Sequence, residues 1–143
     1  MKKKGILNSE ILKLIASAGH GDLIIITDRG FPLPSADSGV QIVDLGIAEG
    51  LPSFMDIVSL ISTELEVEKI VHAGESLEKC PELIAGAKKL FGKDLPCSVI
   101  SHTRLKAAAV SGRDEEFGRI IGFIRTGEFT PYANIVLSCG VVF

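Results

Sequence analysis

The sequence lacks several features that mark specialised classes of protein. It has no tryptophan and one tyrosine in 143 residues, and no unbroken apolar run approaches the ~20 residues that a membrane-spanning helix needs. The 15 basic and 18 acidic residues nearly cancel to a formal charge of −3, so a basic surface for nucleic acid is not expected. With 46% hydrophobic and 23% charged residues, the composition predicts an ordinary folded protein, with neither nucleic acid nor membrane as partner.

Cysteine is also scarce. Cys80, Cys97 and Cys139 are too unevenly spaced for a disulfide framework or a CxxC zinc site, so we interpret them as reduced thiols. The basic residues Lys2–Lys4 are not followed by the apolar segment of an export signal, and we therefore expect a cytoplasmic protein. The motifs typical of dinucleotide, nucleoside triphosphate, zinc protease and serine hydrolase sites are absent.

Hydrophobic periodicity predicts alternating helices and strands. A helix is expected after Asn8 or Ser9 and ends at Gly19, because the residues between them place apolar side chains on one face. Leu23–Ile26 is apolar on both faces, which is typical of a strand buried in the middle of a sheet. Further strands are predicted over residues 40–45, 69–73 and 97–101, and further helices over residues 54–65 and 81–91, with Leu83, Ala87 and Leu90 pointing inward.

The last third of the chain continues this alternation. A helix is predicted from Thr103 to about Ala109, and a second helical stripe, formed by Phe117, Ile120, Ile121 and Ile124, is ended by Gly127. A final strand begins at Asn134 and continues to the last residue. The pattern predicts an α/β layered fold with a central, largely parallel sheet flanked by helices, in a single domain over residues 1–143.

Two polar residues flank the buried strand. His20 lies between two glycines, where the backbone can turn sharply, and a histidine there can exchange protons near neutrality; the alternative is a cap on the preceding helix. Asp28 follows the carboxyl end of the strand, where open α/β sheets place ligand groups; the alternative is a turn residue before Gly30. Asp22 is interpreted as a turn residue.

Other candidates occur at later element ends. His102 follows a predicted strand, and Lys106 lies four residues on, so both can share a helix face; the alternative is a solvated helix start. His72 lies inside an apolar strand and is expected to be a hydrogen-bonded core or interface histidine. Tyr132 offers a ring and a hydroxyl of the kind that sugar sites use, and Asn134 faces the same side if the last strand has begun there.

The candidates belong to a longer series of motifs that runs through the chain. The series is Asn8-Ser9, Gly19-His20-Gly21-Asp22, Asp28-Arg29-Gly30-Phe31-Pro32-Leu33-Pro34, Gly50-Leu51-Pro52-Ser53-Phe54-Met55, His102 with Leu105-Lys106, Arg125-Thr126-Gly127-Glu128, and Pro131-Tyr132-Ala133-Asn134-Ile135. In this order, and over nearly the whole chain, these motifs closely resemble those of the D-ribose pyranase family, whose near relative is fucose mutarotase.

The resemblance implies an enzyme without cofactor or metal that interconverts β-D-ribopyranose and β-D-ribofuranose. It also implies an α/β fold that assembles into homo-oligomeric rings, typically decamers, with sites near subunit boundaries. The catalytic proton donor that it implies is His20. The sugar-binding positions that it implies are Asp28, His102, Tyr132, Ala133 and Asn134, with Lys106 as a further addition.

The expected chemistry suits these residue types. Opening a cyclic hemiacetal requires removal of the anomeric hydroxyl proton and protonation of the ring oxygen, which are tasks for one base and one acid. We expect His20 to protonate the ring oxygen, while a second polar group or a water acts as base. The Pro131–Asn134 motif favours the ribose branch. The alternatives are an L-fucose mutarotase and a catalytically silent sugar-binding ring.

Overall fold

The computed structural model describes residues 1–143 and contains five helices and seven strands. The helices are α1 (Ser9–Ser17), α2 (Phe54–Ser62), α3 (Gly74–Lys79), α4 (Pro81–Phe91) and α5 (His102–Ser111). The strands are β1 (Leu23–Thr27), β2 (Gln41–Asp44), β3 (Val67–Ala73), β4 (Cys97–Ile100), β5 (Arg113–Asp114), β6 (Gly118–Arg125) and β7 (Ile135–Cys139). None of the helices has the length and apolar character needed to cross a bilayer.

The strands form one mixed sheet in the order β2, β6, β1, β7, β3 and β4, with the short β5 paired to β6. β2, β6 and β1 pair in parallel, as do β3 and β4. β7 runs antiparallel to both of its neighbours, β1 and β3, so β7 alone among the six longer strands is reversed. The prediction of a central, largely parallel sheet in an α/β fold is confirmed.

Helices cover both faces of the sheet, and β1 contributes to both cores. Ile24 and Ile26 belong to a cluster of 20 buried residues that β1 shares with α1, α2 and α4. Leu23 and Ile25 belong to a second cluster, of 11 buried residues, on the side of α5. All five residues of β1 are buried, which explains why its sequence is apolar without alternation.

The predicted second helical stripe at Phe117–Ile124 is wrong, because residues 118–125 form β6 between β1 and β2, and Phe117 lies in the turn before this strand. A run of isoleucines fits a strand with both faces covered as well as it fits a helix face. Pairing with β1 and β2 decides the outcome, and Gly122 makes room for the helix above the strand, because a Cβ there would lie 2.3 Å from Leu14 Cδ2. The glycine lets α1 pack directly on the strand.

Smaller differences concern element ends. α3 and β5 were not predicted, and β7 begins at Ile135 and ends at Cys139, which makes it shorter than expected. On α4 the inward side chains are Ile84 and Ala87, whereas Leu90 is 41% exposed, so its predicted inward orientation is wrong.

Candidate active site

A pocket of about 430 Å³ lies beyond the carboxyl end of β1. Its walls come from the loop after β1, the start of α5 and the loop before β7. The lining residues are Asp28, Arg29, Gly30, Phe31, His102, Lys106, Phe129, Pro131 and Tyr132. Asp28 therefore lies in a pocket at the edge of the sheet where open α/β proteins bind ligands.

Asp28 is held in place by Asn134. The side-chain amide of Asn134 donates to Asp28 Oδ2 at 3.0 Å, and its carbonyl oxygen accepts from the backbone N–H of Asp28, also at 3.0 Å. Only 7% of Asp28 is exposed. Burial raises the pKa of this carboxyl above its ordinary value, although the hydrogen bonds from Asn134 and from the backbone of Gly30 act against the rise.

A left-handed residue shapes the segment before β7. Tyr132 has φ +66°, and its carbonyl oxygen accepts hydrogen bonds from Asn134 N–H at 2.8 Å and from Ser76 Oγ at 2.7 Å. Because β7 begins only at Ile135, Asn134 does not share a strand face with Tyr132. Asn134 is fully buried behind Asp28, and Ala133 is fully buried in the larger core.

His102 stands between two aromatic rings. Its ring centroid lies 5.6 Å from that of Phe31 and 4.7 Å from that of Tyr132, and both pairs are edge-on. Burial, and then the positive charge of Lys106, lowers the pKa of His102. Its buried Nδ1 has no hydrogen-bond partner within the chain. A neutral imidazole is therefore part of the pocket wall, with its Nδ1 turned away from solvent.

Lys106 lines the pocket one helical turn after His102, as the spacing predicted. The backbone N–H of His102 donates to Glu75 Oε2 at 3.0 Å, which ties the start of α5 to α3. Arg29 also lines the pocket while its guanidinium pairs with Asp44. The pocket thus combines one buried carboxyl with an imidazole and two cationic side chains.

His20 lies at the opposite edge of the sheet. It precedes β1, whereas Asp28 follows it, and at about 3.3 Å per residue the five residues of the strand separate its two ends by about 17 Å. The His20 side chain is 62% exposed, and its Nε2 lies 2.8 Å from Glu68 Oε2. The structure therefore does not bring His20 to the pocket of its own chain.

Sequence reasoning missed the apolar rim of the pocket. Phe31, Phe129 and Pro131 were not proposed as site residues, although each lies within three residues of Asp28 or Tyr132. Phe129 is 59% exposed, which is unusual for so large an apolar ring. An exposed phenylalanine is not identifiable as such from the sequence, because its neighbours are set by the fold.

Two further expectations concern buried groups. His72 is fully buried in β3, and its Nδ1 lies 2.9 Å from the carbonyl oxygen of Ala73, so the interpretation as a hydrogen-bonded core histidine is confirmed. Cys80 and Cys139 are buried free thiols, and burial raises the pKa of each to about 11. Neither thiol is therefore a nucleophile at neutral pH.

Comparison with known protein families places the chain in one of them. The model of the RbsD / FucU transport protein family matches residues 1–142. Among curated proteins, the chain is 41% identical to a D-ribose pyranase of Symbiobacterium thermophilum and 43% identical to one of Thermoanaerobacter sp. strain X514. Each alignment covers 143 residues and the full length of both proteins.

Solved structures agree with this placement. The Bacillus subtilis RbsD complexed with D-ribose superposes with a TM-score of 0.86 at 38% identity, and the match covers both chains completely. The fucose mutarotase from Streptococcus pneumoniae in complex with L-fucose superposes with a TM-score of 0.73 at 20% identity, over 96% of this chain and 95% of the other, and shares the fold. The chain therefore belongs to the RbsD / FucU transport protein family.

Proposed function

We propose that the chain is a D-ribose pyranase, which interconverts β-D-ribopyranose and β-D-ribofuranose. The observation that carries the proposal is the convergence of Asp28, His102 and Tyr132 on one pocket. The chain is also similar over its full length to curated D-ribose pyranases and to a protein solved with D-ribose. The fucose mutarotase comparison, at 20% identity, supports the fold and not the sugar.

The pocket residues suit the recognition of a small polyol. Asp28 accepts hydrogen bonds from sugar hydroxyls, and the imidazole of His102 and the ammonium of Lys106 add further polar contacts. Tyr132 and Phe31 offer apolar surface to the C–H faces of the ring. Asn134 is buried beneath the pocket and contributes indirectly, because its side chain holds the carboxyl of Asp28 in place.

The reaction needs one proton removed and one supplied. In ring opening, a base takes the proton from the anomeric hydroxyl, the bond from C1 to the ring oxygen O5 breaks, and an acid protonates O5. Reclosure through the hydroxyl at C4 reverses these transfers and gives the furanose, with no net change in protons. Asp28 serves as the base, because a carboxylate whose pKa is raised by burial is a stronger base than an exposed one.

His20 serves as the acid, and a second copy of the chain supplies it. Within one chain the β1 strand separates His20 from Asp28, but the exposed His20 side chain is accessible to a neighbour. Contact between copies would also cover large apolar side chains that one chain leaves exposed, such as Leu7, Ile47 and Phe129. A homo-oligomeric ring, with a decamer as the expected count, supplies such contacts at each subunit boundary.

The proposal also includes the setting of the enzyme. Residues 1–143 act as one catalytic domain on free monosaccharide. Cys80, Cys97 and Cys139 are all free thiols, which is the usual state of cysteine in the reducing cytoplasm, and we place the enzyme there.

Saturation-transfer NMR tests the proposal. The anomeric proton of β-D-ribopyranose is irradiated while that of β-D-ribofuranose is observed, with catalytic amounts of protein, and L-fucose is measured in parallel. We expect rapid transfer in D-ribose and its loss in His20→Ala. An Asp28→Asn chain carries no base, and a His20→Ala chain carries no acid, so each variant alone should be inactive. Mixing the two tests whether one subunit supplies His20 to the site of its neighbour, because mixed rings contain sites in which an intact His20 meets an intact Asp28 and transfer returns.

Each other outcome has a definite meaning. Transfer only in L-fucose would identify a fucose mutarotase, and binding of ribose without transfer would identify a silent sugar-binding protein. Full activity in His20→Ala would remove His20 from the mechanism. If no mixture of the two inactive variants regains transfer, both residues act within one chain and the proposed boundary site is wrong.

A further inference from the structure

The surroundings of His20 contain a second ionisable group that the proposed chemistry does not use. Glu68 places Oε2 at 2.8 Å from His20 Nε2, and its other oxygen, Oε1, accepts a hydrogen bond from Ser138 Oγ at 3.2 Å. Ser138 on β7, Glu68 on β3 and His20 in the loop before β1 are thus linked by a continuous series of contacts. The other ring nitrogen of His20, Nδ1, has no hydrogen bond within the chain.

The backbone directs Glu68 toward His20 through an irregularity in β3. Val67 pairs with Cys139 and Lys69 pairs with Ser138, so two steps along β3 correspond to one step along β7. Glu68 is the extra residue of this bulge. A β-bulge redirects a side chain and is common beside active sites.

Gly140 allows the bulge to form. A Cβ at Gly140 would lie 3.3 Å from both Cβ and the backbone nitrogen of Glu68, which is tighter than ordinary packing. The backbone N–H of Gly140 donates to the carbonyl oxygen of Glu66 at 2.9 Å and closes the strand end. The end of β7 therefore accommodates the bulged residue closely.

The loop that carries His20 is fixed on its other side. Gly21 N–H donates to the carbonyl oxygen of Cys139 at 2.8 Å, and Cys139 N–H donates to the carbonyl oxygen of Asp22 at 2.8 Å. The side chain of Asp22 accepts from Gly19 N–H at 2.9 Å. The backbone of the loop is thus anchored on both sides of His20, and the rotation of the imidazole is the freedom that remains.

We propose that Glu68 is a positioning residue for His20. Its carboxylate holds Nε2 of the imidazole, so that Nδ1 faces outward and exchanges the proton with the sugar. The inference rests on the proposed function, in which His20 is the acid. Ser138 keeps the carboxylate of Glu68 in its orientation. Glu68 itself does not touch the sugar, and its effect reaches the reaction only through the ring of His20.

Three substitutions test this role. In Glu68→Ala the imidazole loses its partner, and because small errors in the geometry of a reacting group are costly, we expect kcat to fall about tenfold or more while KM changes by less than about twofold. Glu68→Gln keeps an oxygen that accepts from Nε2–H, and we expect kcat within about threefold of the parent chain. Glu66→Ala removes the same charge two residues away, from an exposed side chain, and should leave both constants unchanged.

The oligomeric state of every variant is measured by sedimentation at the assay concentration. The positioning role is overturned if Glu68→Ala keeps kcat within about twofold of the parent, if Glu68→Gln loses as much as Glu68→Ala, or if Glu68→Ala dissociates. His20→Ala separates this inference from the proposed function. An inactive His20→Ala beside a fully active Glu68→Ala would refute only the positioning role, whereas an active His20→Ala would refute the use of His20 itself.

Discussion

Replacing Asn134 by alanine should cost far more stability than its size suggests. The substitution removes the amide that donates to Asp28 Oδ2 and the carbonyl that accepts from Asp28 N–H, both at 3.0 Å, in a fully buried position. A hydrogen bond to a charged group contributes about 1.5 to 3 kcal/mol, and an orphaned buried N–H costs about 1 to 3 kcal/mol. We expect a loss of about 3 kcal/mol in the free energy of unfolding.

The chain contains a matched control. Asn8 also makes two hydrogen bonds of 3.0 Å, to the backbone N–H groups of Glu10 and Ile11, but at an exposed helix start. Water replaces these bonds in Asn8→Ala, and the loss of a helix cap costs about 1 kcal/mol. Each asparagine makes two hydrogen bonds of the same length, but only Asn134 is buried and bonded to a carboxylate. The difference between their effects therefore measures what burial and the carboxylate contribute together.

Urea denaturation is the appropriate assay. Because the chain has no tryptophan, unfolding is followed by far-ultraviolet circular dichroism, at one protein concentration for all variants, since assembly adds to apparent stability. If the m value, the dependence of the free energy of unfolding on urea concentration, is the same for all variants, their denaturation midpoints can be compared directly. If Asn134→Ala and Asn8→Ala lose the same free energy, the reasoning from burial is wrong.

Three further predictions concern the site and its supports. Burial raises the pKa of Asp28 above its ordinary value of 3.8, so the folded chain keeps this proton to a higher pH than the unfolded chain does, and stability falls as pH rises above about 4. Asp28→Asn should abolish this fall in urea titrations and should also abolish catalysis. A Cβ at Gly127 would lie 2.5 Å from the carbonyl oxygen of Leu51, so Gly127→Ala should lower the free energy of unfolding by about 2 kcal/mol, whereas Gly19→Ala, with ordinary contacts, should not. Tyr132→Ala should raise KM for ribose about fivefold, since an aromatic contact contributes about 1 kcal/mol, and an unchanged KM would remove the ring from the site.

Helix starts were predictable because their determinants are local. Asn8 caps α1, and Ser53 and Asp56 form a reciprocal capping box at the start of α2. Each of these bonds joins residues no more than three positions apart. The apolar run of β1 was equally informative, since a strand with both faces covered needs apolar residues throughout.

β6 shows where local reasoning fails. Its isoleucines fit both a helical stripe and a doubly buried strand, so the period of the pattern did not distinguish the two. The outcome depends on β1 and β2, which pair with β6 on either side, and on Leu14, which packs over Gly122. These partners lie 81 to 108 positions away along the chain, beyond the reach of any short window.

The sequence by itself determined the order of helices and strands as far as α5, apart from the short α3, together with the family and the polar residues at element ends. It also contained an unused signal: His20 and Asp28 flank one strand, and the two ends of a strand lie at opposite edges of a sheet. Only the tertiary structure decided that Asn134 bonds to Asp28 across 106 positions and that Glu68 turns toward His20. The physical reason is that hydrogen bonds and burial between distant segments depend on strand order and register, which arise only when the whole sheet assembles.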